Sequence, residues 1–165
     1  MKLAEFNSAD AAAAQAILRP CIDVSRWVEA VAGARPYADR DRLLAFAAKA
    51  ATPFTPAEVE AAMAHHPRIG ERPTAASTEA SMSRSEQAGV DPGDAEAAEA
   101  LARGNREYEE KFGRVFLIRA AGRTAPEILA ALNQRLTNSA EEEDMIVAQQ
   151  LREIAVLRLE GLISA

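Results

Sequence analysis

"SAEEEDMIVAQQLREIAVLRLEGL", residues Ser139 to Leu162, reads as one long helix and sets the fold class. Ser139 and Glu142 have the S-x-x-E spacing in which a side-chain oxygen satisfies an orphan backbone N–H while the glutamate reaches back to the cap. Glu141, Glu142 and Glu143 stand near the positive end of the macrodipole. Val147, Leu151, Ile154 and Leu162 then recur at helical spacing, giving one apolar stripe over about 139–163.

The same punctuation recurs upstream. Thr55/Glu58 and Thr124/Glu127 are two further boxes, and Pro56 occupies a first-turn position where a missing N–H costs nothing, so a helix is expected from Thr55 to about His65. Segments near 8–19, 23–32 and 39–51 also read as helices, with Gly33 ending the second and Pro53 stopping the third. A longer helix covers roughly 94–111. Between Gly113 and Gly122 lies "RVFLIRAA", which periodicity leaves open as strand, extended segment or helical turn. "RPTAAST" (72–78) and "VDPGD" (90–94) read as connections inside one domain spanning 1–165. The expectation is an all-α chain of about eight helices in a single compact domain.

Composition agrees and also excludes. Of 165 residues 48% are hydrophobic but only 5% aromatic, and alanine supplies much of the apolar content, which favours close-packed helices over a sandwich. The net charge of −6 leaves no basic excess for phosphates, so no nucleic-acid partner is expected. The lone Cys21 permits no internal disulfide, and no Cys/His cluster has zinc spacing. No apolar run approaches membrane length and no targeting segment stands out. A soluble, unprocessed, cytoplasmic protein without a metal is the expectation.

Three features break the local rules. His65 and His66, the only histidines, precede Pro67, whose ring disfavours helical geometry at the residue before it, so the helix should stop at or before His66. The imidazole then sits at a helix C-terminus, where the dipole supports its protonated form and burial opposes it; the result is either a group titrating near neutrality or a simple cap on the last carbonyls. Adjacent side chains diverge, so the pair makes a poor metal site. Second, Ser83, Glu86 and Gln87 in "SMSRSEQAGV" share a helix face able to hold a ligand rich in donors and acceptors, although a capping box explains Ser83 and Glu86 equally well. Third, Arg158 lies on the apolar stripe, seven residues after Leu151, and either snorkels to water or points into a cleft toward an anion.

Taken together, "HHPRIG", "SRSEQAG", "FGRVFLIRAAG" and the terminal "LRL" resemble the 2-oxo-4-hydroxy-4-carboxy-5-ureidoimidazoline (OHCU) decarboxylases of purine catabolism. "RPYAD" (35–39) and "NREYEEKFG" (105–113) look like further landmarks of that family, so the resemblance runs along nearly the whole chain. It implies an all-helical enzyme, commonly a homodimer, without metal or organic cofactor, that turns the last intermediate of urate breakdown into (S)-allantoin and CO2. The family's catalytic histidine is the one directly before proline, which falls on His66 and leaves His65 without that role. Its signature falls on Ser83, Arg84, Ser85, Glu86 and Gln87, with Glu86 the carboxylate working beside the histidine. Substrate contacts are implied for Pro67, for Phe116, Leu117, Ile118, Arg119 and Ala120, and for Arg158. Arg68 stands where many members carry an acidic residue, and Arg119 where many carry a small residue or cysteine. The competing readings are an enzyme acting on another ureide and a non-catalytic helical adaptor, the latter requiring no small-molecule pocket.

Overall fold

The computed structural model describes residues 1–71, 76–90 and 94–165. Among these it contains nine helices and no strand: α1 (Leu3–Ser8), α2 (Ala11–Leu18), α3 (Ser25–Gly33), α4 (Arg40–Ala47), α5 (Pro56–Met63), α6 (Thr78–Glu86), α7 (Ala95–Phe112), α8 (Ala125–Arg135) and α9 (Ala140–Leu162). The all-α expectation holds, and α1 is the helix beyond the expected eight. Contacts group the chain into two units, Met1–Ala62 with Leu151–Ala165, and Met63–Gln150. The expected connection over 72–78 lies outside the described residues from 72 to 75, and that over 90–94 from 91 to 93.

In the first unit the helix expected near 8–19 is α2, which starts at Ala11 because Asp10 caps it, its carboxylate accepting from the Ala13 N–H at 2.7 Å. The third expected helix ends at Ala47, well before Pro53. The reason is a distant side chain. The Arg152 guanidinium donates to the carbonyls of Ala50 (2.6 Å) and Ala51 (3.3 Å) and stacks on Phe54, so a turn with Ala51 at φ +53° replaces the last helical turn. The Thr55/Glu58 box forms in both directions, and Arg26 pairs with Glu58 at 2.7 Å. "RPYAD" is a brace. Arg35 donates to the carbonyls of Phe6, Ala9 and Ala32, the Tyr37 hydroxyl to that of Val31, and Asp39 caps α4.

In the second unit α7 packs on α8. Gly104 of α7 stands against Leu132 of α8, and a Cβ there would meet Leu132 Cδ2 at 2.8 Å. α7 ends at Gly113 in the left-handed region (φ +69°), a conformation that glycine adopts without a Cβ penalty. The open segment after it is neither strand nor helix, and it buries Phe116, Ile118 and Ala120 in a core shared with Ile69, Leu101, Tyr108 and Ile128. Glu143, read from sequence as a dipole partner, is fully buried instead. It accepts hydrogen bonds from Tyr108 (2.5 Å) and from Arg135, whose Nη1 also donates to the Leu117 carbonyl at 2.6 Å. A charge so placed needs these partners, since an unpaired buried carboxylate would cost several kcal/mol or more.

Candidate active site

α5 stops at Met63 and the chain turns, with the His66 N–H donating to the Met63 carbonyl at 3.1 Å. Pro67 forbids continuation, as its sequence position requires. His65 is exposed, whereas His66 and Pro67 are half-buried. They open onto a cavity of about 370 Å3 whose wall includes both histidines, Ala64 and Pro67. The lining continues with Ser77, Glu79, Ala80 and Ser83, from the start and middle of α6. Such a volume suits a small polar molecule.

Ser77, not Ser83, caps α6, accepting from the Ala80 N–H at 3.1 Å. Ser83 therefore lies within the helix and is buried, so the capping-box reading of Ser83 and Glu86 is overturned. Ser83 belongs to the lining of the same cavity as His66. Glu86 is the last residue of α6, half-buried and outside the cavity lining; Arg84 and Ser85 are exposed and also outside it. Sequence reasoning missed Glu79, whose carboxylate-bearing side chain is part of the cavity lining. Its spacing, four residues before Ser83 and seven before Glu86, puts all three on one stripe of α6, and that spacing was the available signal.

Gln87 is buried and committed to the loop that carries the histidine, its amide oxygen accepting from the Gly70 N–H at 3.0 Å and its amide nitrogen donating to the Glu71 carbonyl at 3.4 Å. Phe116, Leu117, Ile118 and Ala120 are buried too. Because Phe116, Ile118 and Ala120 fill the core, what that stretch offers a ligand is backbone. Part of it is taken: the Arg119 N–H donates to Gln150 at 2.8 Å, and the Arg119 carbonyl accepts from Arg123 at 2.9 Å. Arg158, in the first unit, is 6% exposed and donates to the Pro20 carbonyl at 3.1 Å, so it does not snorkel to water. Arg68 pairs with Glu109 through two hydrogen bonds of 2.5 and 3.2 Å, which raise its pKa further. Among the described residues no group of three or more His, Cys, Asp or Glu side chains could hold a metal ion. No helix among them is long and apolar enough to cross a membrane.

This arrangement, a proline-flanked histidine and a buried serine lining one small cavity, is accompanied by a family match. The OHCU decarboxylase family model matches residues 7–160. The chain belongs to the OHCU decarboxylase family. A 2-oxo-4-hydroxy-4-carboxy-5-ureidoimidazoline decarboxylase from Amia calva is 32% identical over 136 residues, covering 81% of this chain and 78% of that protein. The uric acid degradation bifunctional protein TTL from Arabidopsis thaliana is 39% identical over 106 residues, 62% of this chain and 33% of its own length. This chain thus matches about a third of that longer relative. Among solved structures, an OHCU decarboxylase crystallised in the presence of (S)-allantoin is similar with a TM-score of 0.69 and 27% identity, covering 86% of this chain and 93% of that one. An (S)-allantoin synthase shares the fold at TM-score 0.70 and 18% identity, covering 99% of this chain and 54% of that one.

Proposed function

We propose that this chain decarboxylates 2-oxo-4-hydroxy-4-carboxy-5-ureidoimidazoline to (S)-allantoin and CO2, with His66 as the principal acid–base group. The observation that carries the reading is the cavity that His66, Pro67 and Ser83 line in a chain of this family. The substrate carries a hydroxyl and a carboxylate on one ring carbon beside an imine-like carbon. When the bond to the carboxylate breaks, CO2 leaves and the electron pair passes into the conjugated ring, whose imine nitrogen takes up a proton from solvent. The hydroxyl loses its proton as a carbonyl forms, and the neighbouring carbon gains a proton on one face. The ring itself holds the electrons, so the protein has to orient the substrate, stabilise developing charge and deliver that proton.

His66 takes the hydroxyl proton, with Glu86 supporting the imidazole electrostatically. Pro67, Ser83, Arg84, Ser85 and Gln87, the backbone of Phe116, Leu117, Ile118, Arg119 and Ala120, and Arg158 as the carboxylate's partner complete the proposed site. These assignments rest on the family motif, on the placement of Ser83 in the cavity wall and on the burial of Arg158. The reading extends to 1–165 acting as one domain of this family, supported by a match that spans both units, and to a cytoplasmic homodimer, which sedimentation and cell fractionation test. A non-catalytic adaptor would need no cavity here.

The test is to add the purified chain to urate with urate oxidase and hydroxyisourate hydrolase. Faster consumption of the intermediate with a growing (S)-allantoin dichroism signal is expected. Racemic allantoin at the spontaneous rate, or turnover of a different ureide alone, would overturn the reading.

A further inference from the structure

The loop after the histidine is gripped at four successive residues by two helices. Asn105 and Glu109, one turn apart on α7, reach it together. The Asn105 side-chain amide donates to the Ile69 carbonyl at 3.0 Å and Glu109 accepts from Arg68, while Gln87, at the end of α6, binds the Gly70 N–H and the Glu71 carbonyl. Gly70 takes φ +92°, which brings its N–H and the neighbouring carbonyls to these partners, and Ile69 plugs into the core.

Asn105 is the informative member. It is 5% exposed, and among the described residues its Oδ1 has no hydrogen-bond partner while its amide nitrogen donates to Ile69. A buried amide oxygen without a partner costs more than an apolar side chain of the same shape would. What the side chain contributes is one bond to the backbone three residues beyond His66. Between those two points the chain has little freedom: His66 is tied back to Met63, and Pro67 fixes its own φ and restricts the residue before it. Where Asn105 holds Ile69 thus constrains the backbone at His66.

We propose that Asn105 is a positioning residue for His66, acting through the Ile69 carbonyl to set where the imidazole stands in the cavity. This rests on the reading of His66 as the reactive group. Asn105→Asp keeps the shape and replaces the donor with an acceptor that repels the carbonyl. A displacement of about 1 Å at a reacting group costs on the order of 100-fold in rate.

The experiment compares wild type, Asn105→Asp and Asn105→Ala, the last removing the donor without adding charge, so that one variant serves if the other does not fold. In folded protein, kcat is expected to fall about 10- to 100-fold with KM little changed, and the enantiomeric excess of allantoin to drop. In parallel, the His66 ring resonance, assigned by its persistence in His65→Ala, is expected to move toward the position of an unrestrained histidine. Variants that lose thermal stability yet keep wild-type kcat, enantiomeric excess and His66 resonance would overturn the proposal. The resonance reads the clamp without turnover, whereas an inactive wild type with a shifted His66 resonance in the variants would count against the decarboxylase reading alone.

Discussion

Tyr108 of α7 donates its hydroxyl to Glu143 of α9 at 2.5 Å, inside a core from which Glu143 is wholly withdrawn from water. Burial works to raise the Glu143 pKa, but the hydrogen bonds from Arg135 and Tyr108 with the Arg135 charge outweigh it and leave the pKa lowered. The same burial, with the adjacent carboxylate, pushes the tyrosine up to about 12.

Breaking this group from one side is therefore expensive. Glu143→Ala leaves the Arg135 guanidinium buried without its counter-charge, and a loss of about 3–5 kcal/mol is expected, read as a fall in thermal midpoint. Replacing Arg135 and Glu143 together by apolar residues of similar size should cost much less than the two single changes summed. Additive losses would show that the pair is not coupled.

Glu58 predicts the acid limb of stability. The hydrogen bond from Arg26 is the main reason its pKa falls to about 2, assisted by bonds from Thr55. A depressed carboxylate contributes stability that is present above its unfolded pKa of 4.5 and is lost as pH falls toward 2. Thermal midpoints should thus decline between about pH 5 and pH 2, and Glu58→Gln should flatten that decline while lowering the midpoint at neutral pH. An unchanged slope would remove Glu58 from the account.

At Gly104, helix propensity and packing oppose each other. Alanine gains about 1 kcal/mol in a helix interior. Its Cβ, however, would lie 2.8 and 3.2 Å from the two Leu132 methyls, on a side chain with no exposure, and overpacking costs about 1–3 kcal/mol. A net loss of about 1 kcal/mol is expected, and the losses of Gly104→Ala and Leu132→Ala should sum to more than the loss of the double variant. A stabilised Gly104→Ala would contradict this packing.

The two histidines provide an internal control. His66→Ala should lose the acid–base contribution, about 10²- to 10⁴-fold, together with the handedness of the product, at unchanged helical dichroism. His65→Ala, altering an exposed ring on the same wall, should keep most activity. Equal losses in both would contradict the assignment to His66.

What could be read from the sequence follows the range of the forces involved. The boxes at Thr55/Glu58 and Ser139/Glu142 form as expected because capping is settled within four residues. At Thr124 the cap forms, but Glu127 meets the threonine hydroxyl rather than its N–H. Misreadings arise where a distant residue decides: Arg152 ends α4 early, and Arg135 with Tyr108 draws Glu143 inward. In the candidate site, the proline fixed the end of α5 and placed His66, whereas the choice between cap and cavity wall for Ser83 depended on Ser77 starting the helix upstream. Gln87 and Asn105 were illegible as loop anchors because their partners, backbone atoms of Ile69, Gly70 and Glu71, carry no sequence signal.

The most direct test of the whole account is a crystal structure of the chain with (S)-allantoin bound. The account predicts the ligand in the cavity between His66 and Ser83, with the imidazole within hydrogen-bonding reach. Allantoin seated elsewhere, with His66 out of contact, would contradict it.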